Sequence, residues 1–146
     1  MPDAAKMIFV NLPVADLARS MPFYEAIGFT NQPRFSDDTA ACMAWSDTIF
    51  VMILTHDKWR MFTDRPIPPA TSSEVSLALT LGSRAAVDAM VAAAADHGGT
   101  IDINPVQDHG FMYGRDLCDP DGHVWGPMWM DPAVAHGDAP VPEVSL

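Results

Sequence analysis

The feature that most constrains this chain is an order of elements that occurs twice. Met7 to Val14 (MIFVNLPV) alternates like a half-buried strand, with Val10, Leu12 and Val14 on one face. Asp16 is placed to cap, and Gly28 to stop, the helical pattern between them. Pro22, which lacks a backbone donor, is expected to kink or shorten that helix. Strands are predicted at Thr30 to Arg34, Thr39 to Trp45 and Thr48 to Thr55. The second half follows the same plan. A strand, Glu74 to Leu81, leads to an Ala-rich helix, Ser83 to His97, capped by Ser83 and stopped by Gly98-Gly99. Strands then fit Thr100 to Asn104, Gly110 to Cys118 and His123 to Met130, the last two joined by the turn Asp119-Pro120-Asp121-Gly122. The order predicts an α+β chain of two tandem βαβββ modules that form a cupped mixed sheet. One face of each strand packs on a helix and the other lines the cup. Module one covers residues 6–55 and module two 74–132, making one domain over 6–132. Residues 56–73 carry Pro66, Pro68 and Pro69 beside Trp59 and Phe62, and read as a linker long enough to act as a lid. Residues 133–146 read as a mobile tail.

Composition narrows the function classes. A chain of 146 residues buries roughly two-thirds of its unfolded surface, so it needs no disulfide or metal staple. With 49% hydrophobic and 18% charged residues it is not a disordered chain. A formal net charge of −11 makes nucleic acid and anionic membrane surfaces poor partners, while small cations remain compatible. No apolar run approaches the ~20 residues needed to span a bilayer. Met1 to Lys6 does not read as a secretory leader, so Cys42 and Cys118 are expected as reduced thiols in a cytoplasm. Phosphate-cradling glycine loops, paired zinc ligands, a Gly-x-Ser-x-Gly elbow and a basic stripe are all missing.

Two stretches, VNLPVADLARSMPFYEAIGF at Val10 to Phe29 and DPDGHVWGPMWMDP at Asp119 to Pro132, resemble the vicinal oxygen chelate superfamily when set in the duplicated order. That group contains glyoxalase I, bleomycin-resistance proteins, fosfomycin-modifying enzymes and extradiol dioxygenases. ACMAW at Ala41 to Trp45 and HGFMYGR at His109 to Arg115 look like a subgroup described as predicted lactoylglutathione lyases. The resemblance implies a homodimer, since relatives often complete their cups across subunits, and a divalent metal in the cup. Its implied ligands are a His on the first strand of module one, a His or Gln opening module two, and a Glu on the last strand of module two. Glyoxalases add a Glu on the last strand of module one. The matching positions here hold Phe9, Ser76, Gly126 and Met52. Phenylalanine and glycine side chains donate nothing, a neutral serine is poor, and a thioether prefers soft ions. The sequence therefore predicts no metal and no other cofactor.

The expected ligand is a small amphipathic molecule, compatible with a cation, held in an apolar cup. Phe9, Asn11, Ala78 and Met128 share the cup phase with Met52, Ser76 and Gly126, and Trp45, Trp59 and Phe62 are candidates to close its mouth. Tyr113 and Arg115 also lie within reach. An inward Arg115 would clamp a carboxylate or phosphate, an outward one would make a surface ion pair, and their shared parity with Leu117 leaves both open. The alternative is a lyase or isomerase that uses a displaced metal site or the acid–base pair Asp108 and His109, residues that could equally serve loop hydrogen bonds. Trp125 and Trp129 are expected beneath the helices, His123 outward or bracing its turn, and His56, His97, His136 and Glu74 in solvent.

Overall fold

The computed structural model describes residues 6–142. Module one comprises β1 (Ile8–Val14), α1 (Leu17–Ala26), β2 (Thr30–Asn31), β3 (Ala40–Ala44) and β4 (Ile49–Thr55), in the sheet order β1-β4-β3-β2. β1 runs parallel to β4 with Phe9 beside Phe50 and Asn11 beside Met52, while β3 runs antiparallel to β4. A short α2 (His56–Arg60) opens the linker. Module two comprises β5 (Ser76–Thr80), α3 (Arg84–Asp96), β6 (Thr100–Ile101), β7 (Gln107–Asp108), β8 (Met112–Gly114), β9 (Leu117–Cys118) and β10 (Val124–Met130). Here β5 pairs parallel with β10, and β8 and β9 pair antiparallel with its far edge, followed outward by β7 and β6. The two sheets thus share one plan, the repeat expected from the sequence.

Local chemistry explains the elements. The Asp16 side chain accepts from the Ala18 amide and Ser83 Oγ from the Ala86 amide, capping α1 and α3. α1 runs through Pro22 rather than stopping there, because Pro22 and Ala18, the residue whose carbonyl loses its partner, both face solvent. Three expected strands are shorter than the pattern suggested. Thr30 to Arg34 reduces to β2 because Pro33 opens a 3-10 turn over Pro33–Phe35. Thr100 to Asn104 stops at Ile101, where Asp102 turns to a φ of 52°. Gly110 to Cys118 is divided into β8 and β9 at Arg115 and Asp116, whose side chains are drawn to partners outside the sheet. The expected tail begins with an ordered turn, α4 (Pro132–Ala135), capped by the Asp131 side chain on the Ala133 amide; residues 143–146 lie outside the described ones.

Helix-facing side chains of both modules merge into one core, with Val14, Phe23, Tyr24, Met43, Val51 and Ile53 from module one against Leu79, Met90, Val91, Leu117 and Trp125 from module two. At its centre the Tyr24 hydroxyl donates to Asp119 Oδ2 at 2.7 Å and accepts from Trp125 Nε1 at 3.1 Å. The other Asp119 oxygen takes the amides of Asp121 and His123, both at 2.9 Å. Around this buried carboxylate the turn grips module one. Asp121 accepts from the Ala15 amide, Arg19 and Ser20, and His123 Nε2 donates to the Pro13 carbonyl at 2.7 Å. His123 therefore braces the joint between modules as well as its own turn. Burial raises the Asp119 and Tyr24 pKa values, so this joint does not loosen through early titration of the phenol. Tyr24→Phe removes the donor to Asp119 and the acceptor of Trp125 and is expected to cost about 1–3 kcal/mol in urea unfolding. Tyr113→Phe, which loses only an exposed bond to Asp88, should stay within about 0.5 kcal/mol of the parent.

Candidate functional site

Each sheet turns one face to its helix and leaves the other open. On the open face of module one, Phe9 stacks on Phe50 with centroids 4.8 Å apart and remains 50% exposed. Asn11, Met52 and Cys42 continue that face in register. On the open face of module two, Ser76, Ala78, Gly126 and Met128 line a shallow depression of about 120 Å³ together with Asp116. Sequence reasoning missed Asp116. Its Oδ1 lies 2.9 Å from where a Cβ at Gly126 would stand, and its Oδ2 accepts from Asn104 at 2.9 Å. No short-range pattern marks such a residue, because it takes the space that a glycine on the neighbouring strand leaves empty.

The four positions matched to the superfamily's metal ligands therefore fall on two separate faces, Phe9 and Met52 on one and Ser76 and Gly126 on the other. Among the described residues no three His, Cys, Asp or Glu side chains come together as a metal-holding group. A ring stacked on another ring, a thioether, a hydroxyl and a hydrogen atom are not a donor set for a divalent ion. Those residues do not fit the superfamily's metal.

Several other expected site residues lie on the helix side. Trp45 packs on Phe29, with ring centroids 5.2 Å apart, and closes the edge of the core rather than a cavity mouth. Tyr113 donates to Asp88 of α3 at 2.7 Å, and Arg115 bonds Asp88 and, through two nitrogens, Asp102. Arg115 borders the depression of module two, but its guanidinium is committed to these two carboxylates, which hold its charge firmly. Asp108 accepts two bonds from Arg84, at 2.8 and 2.9 Å, and a third from the Gly110 amide. Arg84 is itself set over the rings of Tyr113 and Trp129. These bonds lower the Asp108 pKa to about 2. His109 is its sequence neighbour, yet its buried Nε2 has no partner, so the expected acid–base pair is not assembled.

A larger space lies elsewhere, along the seam between the modules. There the linker bends back over Asn11, Leu12 and Pro13 of β1 and the start of β10, enclosing a crevice of about 650 Å³. Gly122 anchors this strap: it sits at a φ of +91°, and any side chain there would collide with the Ala70 backbone. Leu12, Pro13, Val75, Leu77 and Val124 supply apolar wall, and Asn11, Arg65, Glu74 and Trp59 supply polar groups. Trp59 also borders a second space of about 440 Å³ shared with Asn11, Leu54 and Phe62. Its indole Nε1 is buried without an acceptor. α2 holds Trp59 in place, and α2 forms because Thr55 Oγ1 accepts from the Lys58 amide and Asp57 sits in the first turn. Thr55 at the cap with Asp57 two residues on was the available signal for this helix. The structure thus brings together Asn11, Trp59 and Phe62, joins Ser76, Ala78, Gly126 and Met128 in another place, and leaves Phe9 and Met52 on an open face.

Comparison with known proteins agrees with this architecture. Residues 6–46 match the family model described as bleomycin resistance protein-like N-terminal. No curated protein matches the chain. Among solved structures, a hypothetical protein from S. aureus superposes with a TM-score of 0.73 at 20% identity, covering 87% of this chain and 95% of its own. A glyoxalase/bleomycin resistance protein/dioxygenase family enzyme from Burkholderia phytofirmans gives 0.71 at 18% identity, covering 86% and 99%. A glyoxalase-related enzyme from Fulvimarina pelagi gives 0.72 at 16%, covering 86% and 88%. The chain has the glyoxalase/bleomycin resistance/dioxygenase fold, and its first module carries a bleomycin-resistance-like sequence.

Proposed function

We propose that this chain is a vicinal oxygen chelate protein that binds a small amphipathic molecule in the crevice between its modules, without the superfamily's divalent metal. The observation that carries the reading is the crevice itself. Its volume of about 650 Å³ falls in the range of drug-sized sites, its wall is mostly apolar, and Trp59, which lines it, keeps an indole N–H buried without a partner among the described residues. The family likeness supplies the class and the residues at Phe9, Met52, Ser76 and Gly126 remove the metal from it.

The same reading keeps a homodimer, in which a second copy covers the open Phe9 and Phe50 face, and a cytoplasmic setting, which suits two free cysteines, Cys42 and Cys118. A lactoylglutathione lyase finds less support. Its metal donors are missing, and Asp108, held by Arg84, is too weak a base for proton abstraction near neutral pH.

Nile red, a neutral dye whose emission rises in apolar surroundings, is expected to bind saturably to EDTA-dialysed protein. Trp59→Ala should weaken that binding about tenfold; binding that disappears on chelation contradicts the proposal. Added Ni²⁺ or Zn²⁺ is expected to produce no turnover of the methylglyoxal–glutathione hemithioacetal. The Asp108 restraint is testable separately. Its folded pKa is depressed to about 2, so the stabilisation from its ion pair is present above the ordinary carboxylate range and is lost as pH falls toward that value. By carboxyl NMR, Arg84→Gln should raise its midpoint toward the ordinary carboxylate range, the Gly110 amide bond keeping part of the depression; an unchanged midpoint would show that Arg84 is not the cause.

A further inference from the structure

Most of this protein's basic side chains already have a partner. Of the eight Lys and Arg residues, Arg19, Arg60, Arg84 and Arg115 pair with carboxylates, and Arg34 and Lys58 lie over aromatic rings. Among the described residues only Lys6 and Arg65 do neither, although acidic groups outnumber basic ones by nineteen to eight. Arg65 borders the seam crevice. Glu74 borders the same crevice and also makes no ion pair with a described residue. One cation and one anion, both exposed, therefore line a shared cavity without pairing with each other, with apolar wall and Trp59 around them.

From this arrangement we infer that the crevice selects a zwitterion with an apolar body, a molecule carrying one carboxylate and one ammonium group, the first received by Arg65 and the second by Glu74. The inference rests on the crevice being the binding site and adds the charge pattern of its ligand. The field of the whole chain points the same way. A net charge of −11 repels an anion before it reaches Arg65, whereas a molecule of no net charge approaches without that barrier. A simple cation is attracted, but it leaves Arg65 facing its positive end, an unfavourable pairing at short range. A guanidinium fork suits a planar carboxylate, and Glu74 suits the compact ammonium.

Three probes with a common phenyl body separate the possibilities: L-phenylalanine, the cation 2-phenylethylamine and the anion 3-phenylpropanoate, each competed against bound Nile red in EDTA. L-phenylalanine is expected to displace the dye at a concentration at least tenfold lower than either singly charged probe. Arg65→Gln should bring its potency down to that of the amine, and Glu74→Gln to that of the carboxylate. If the amine equals or exceeds L-phenylalanine, the chain's negative field sets selectivity and the inference is overturned. Equal displacement by all three, or by none while Nile red still binds, overturns it too and leaves the apolar site standing. Failure of Nile red itself to bind removes the crevice as a site and the inference with it.

Discussion

A carboxylate buried between two modules needs all its hydrogen bonds met, and Asp119 shows how this chain meets them. Left unpaired, such a group would cost several kcal/mol, on the order of the whole stability of a small domain. Its two oxygens instead receive a phenol from module one and two amides of its own turn, and the phenol passes the network on to Trp125. These bonds have strict geometry, so they fix where the first helix sits against the last strand of the second module. The core of Phe23, Leu79, Val91 and Leu117 closes around that fixed point. The seam, the strap that crosses it and the crevice beneath all take their positions from this joint.

The repeat was legible because its signals are local. Capping side chains at Asp16 and Ser83, the glycine at position 28 and the Asp119 turn act within a few residues, and alternation along β1 and β5 assigns faces directly. What escaped was set by distant partners. Arg115 leaves its strand for carboxylates on α3 and at Asp102, and Asp116 fills the space over Gly126, so an apparently continuous strand breaks in two. Likewise Asp108 and His109 look like an acid–base pair until Arg84, twenty-four residues away from Asp108, claims the carboxylate.

The site shows the same division. Side-chain chemistry alone marks Phe9, Met52, Ser76 and Gly126 as a poor donor set for a divalent ion. It was not enough to locate the cavity. An irregular, proline-rich linker has no periodicity to read, and nothing local tells that the Ala70 backbone passes over Gly122. Asn11, Trp59 and Phe62 were expected near a ligand because of their face or their loop; Arg65 and Glu74 became visible as site residues only once the strap was seen to carry them to the seam. Conversely, the twofold plan of the sheets gives both modules an open face, yet only the asymmetric element between them encloses a space of ligand size.

The most direct measurement is a titration of ¹⁵N-labelled, chelator-treated protein with neutral 2-phenylethanol, following the four tryptophan indole N–H signals. Binding at the seam without metal predicts that the Trp59 signal moves saturably while the Trp125 signal, locked to Tyr24, stays in place. A Trp59 signal that never moves, or one that moves only after a divalent ion is restored, would contradict the account.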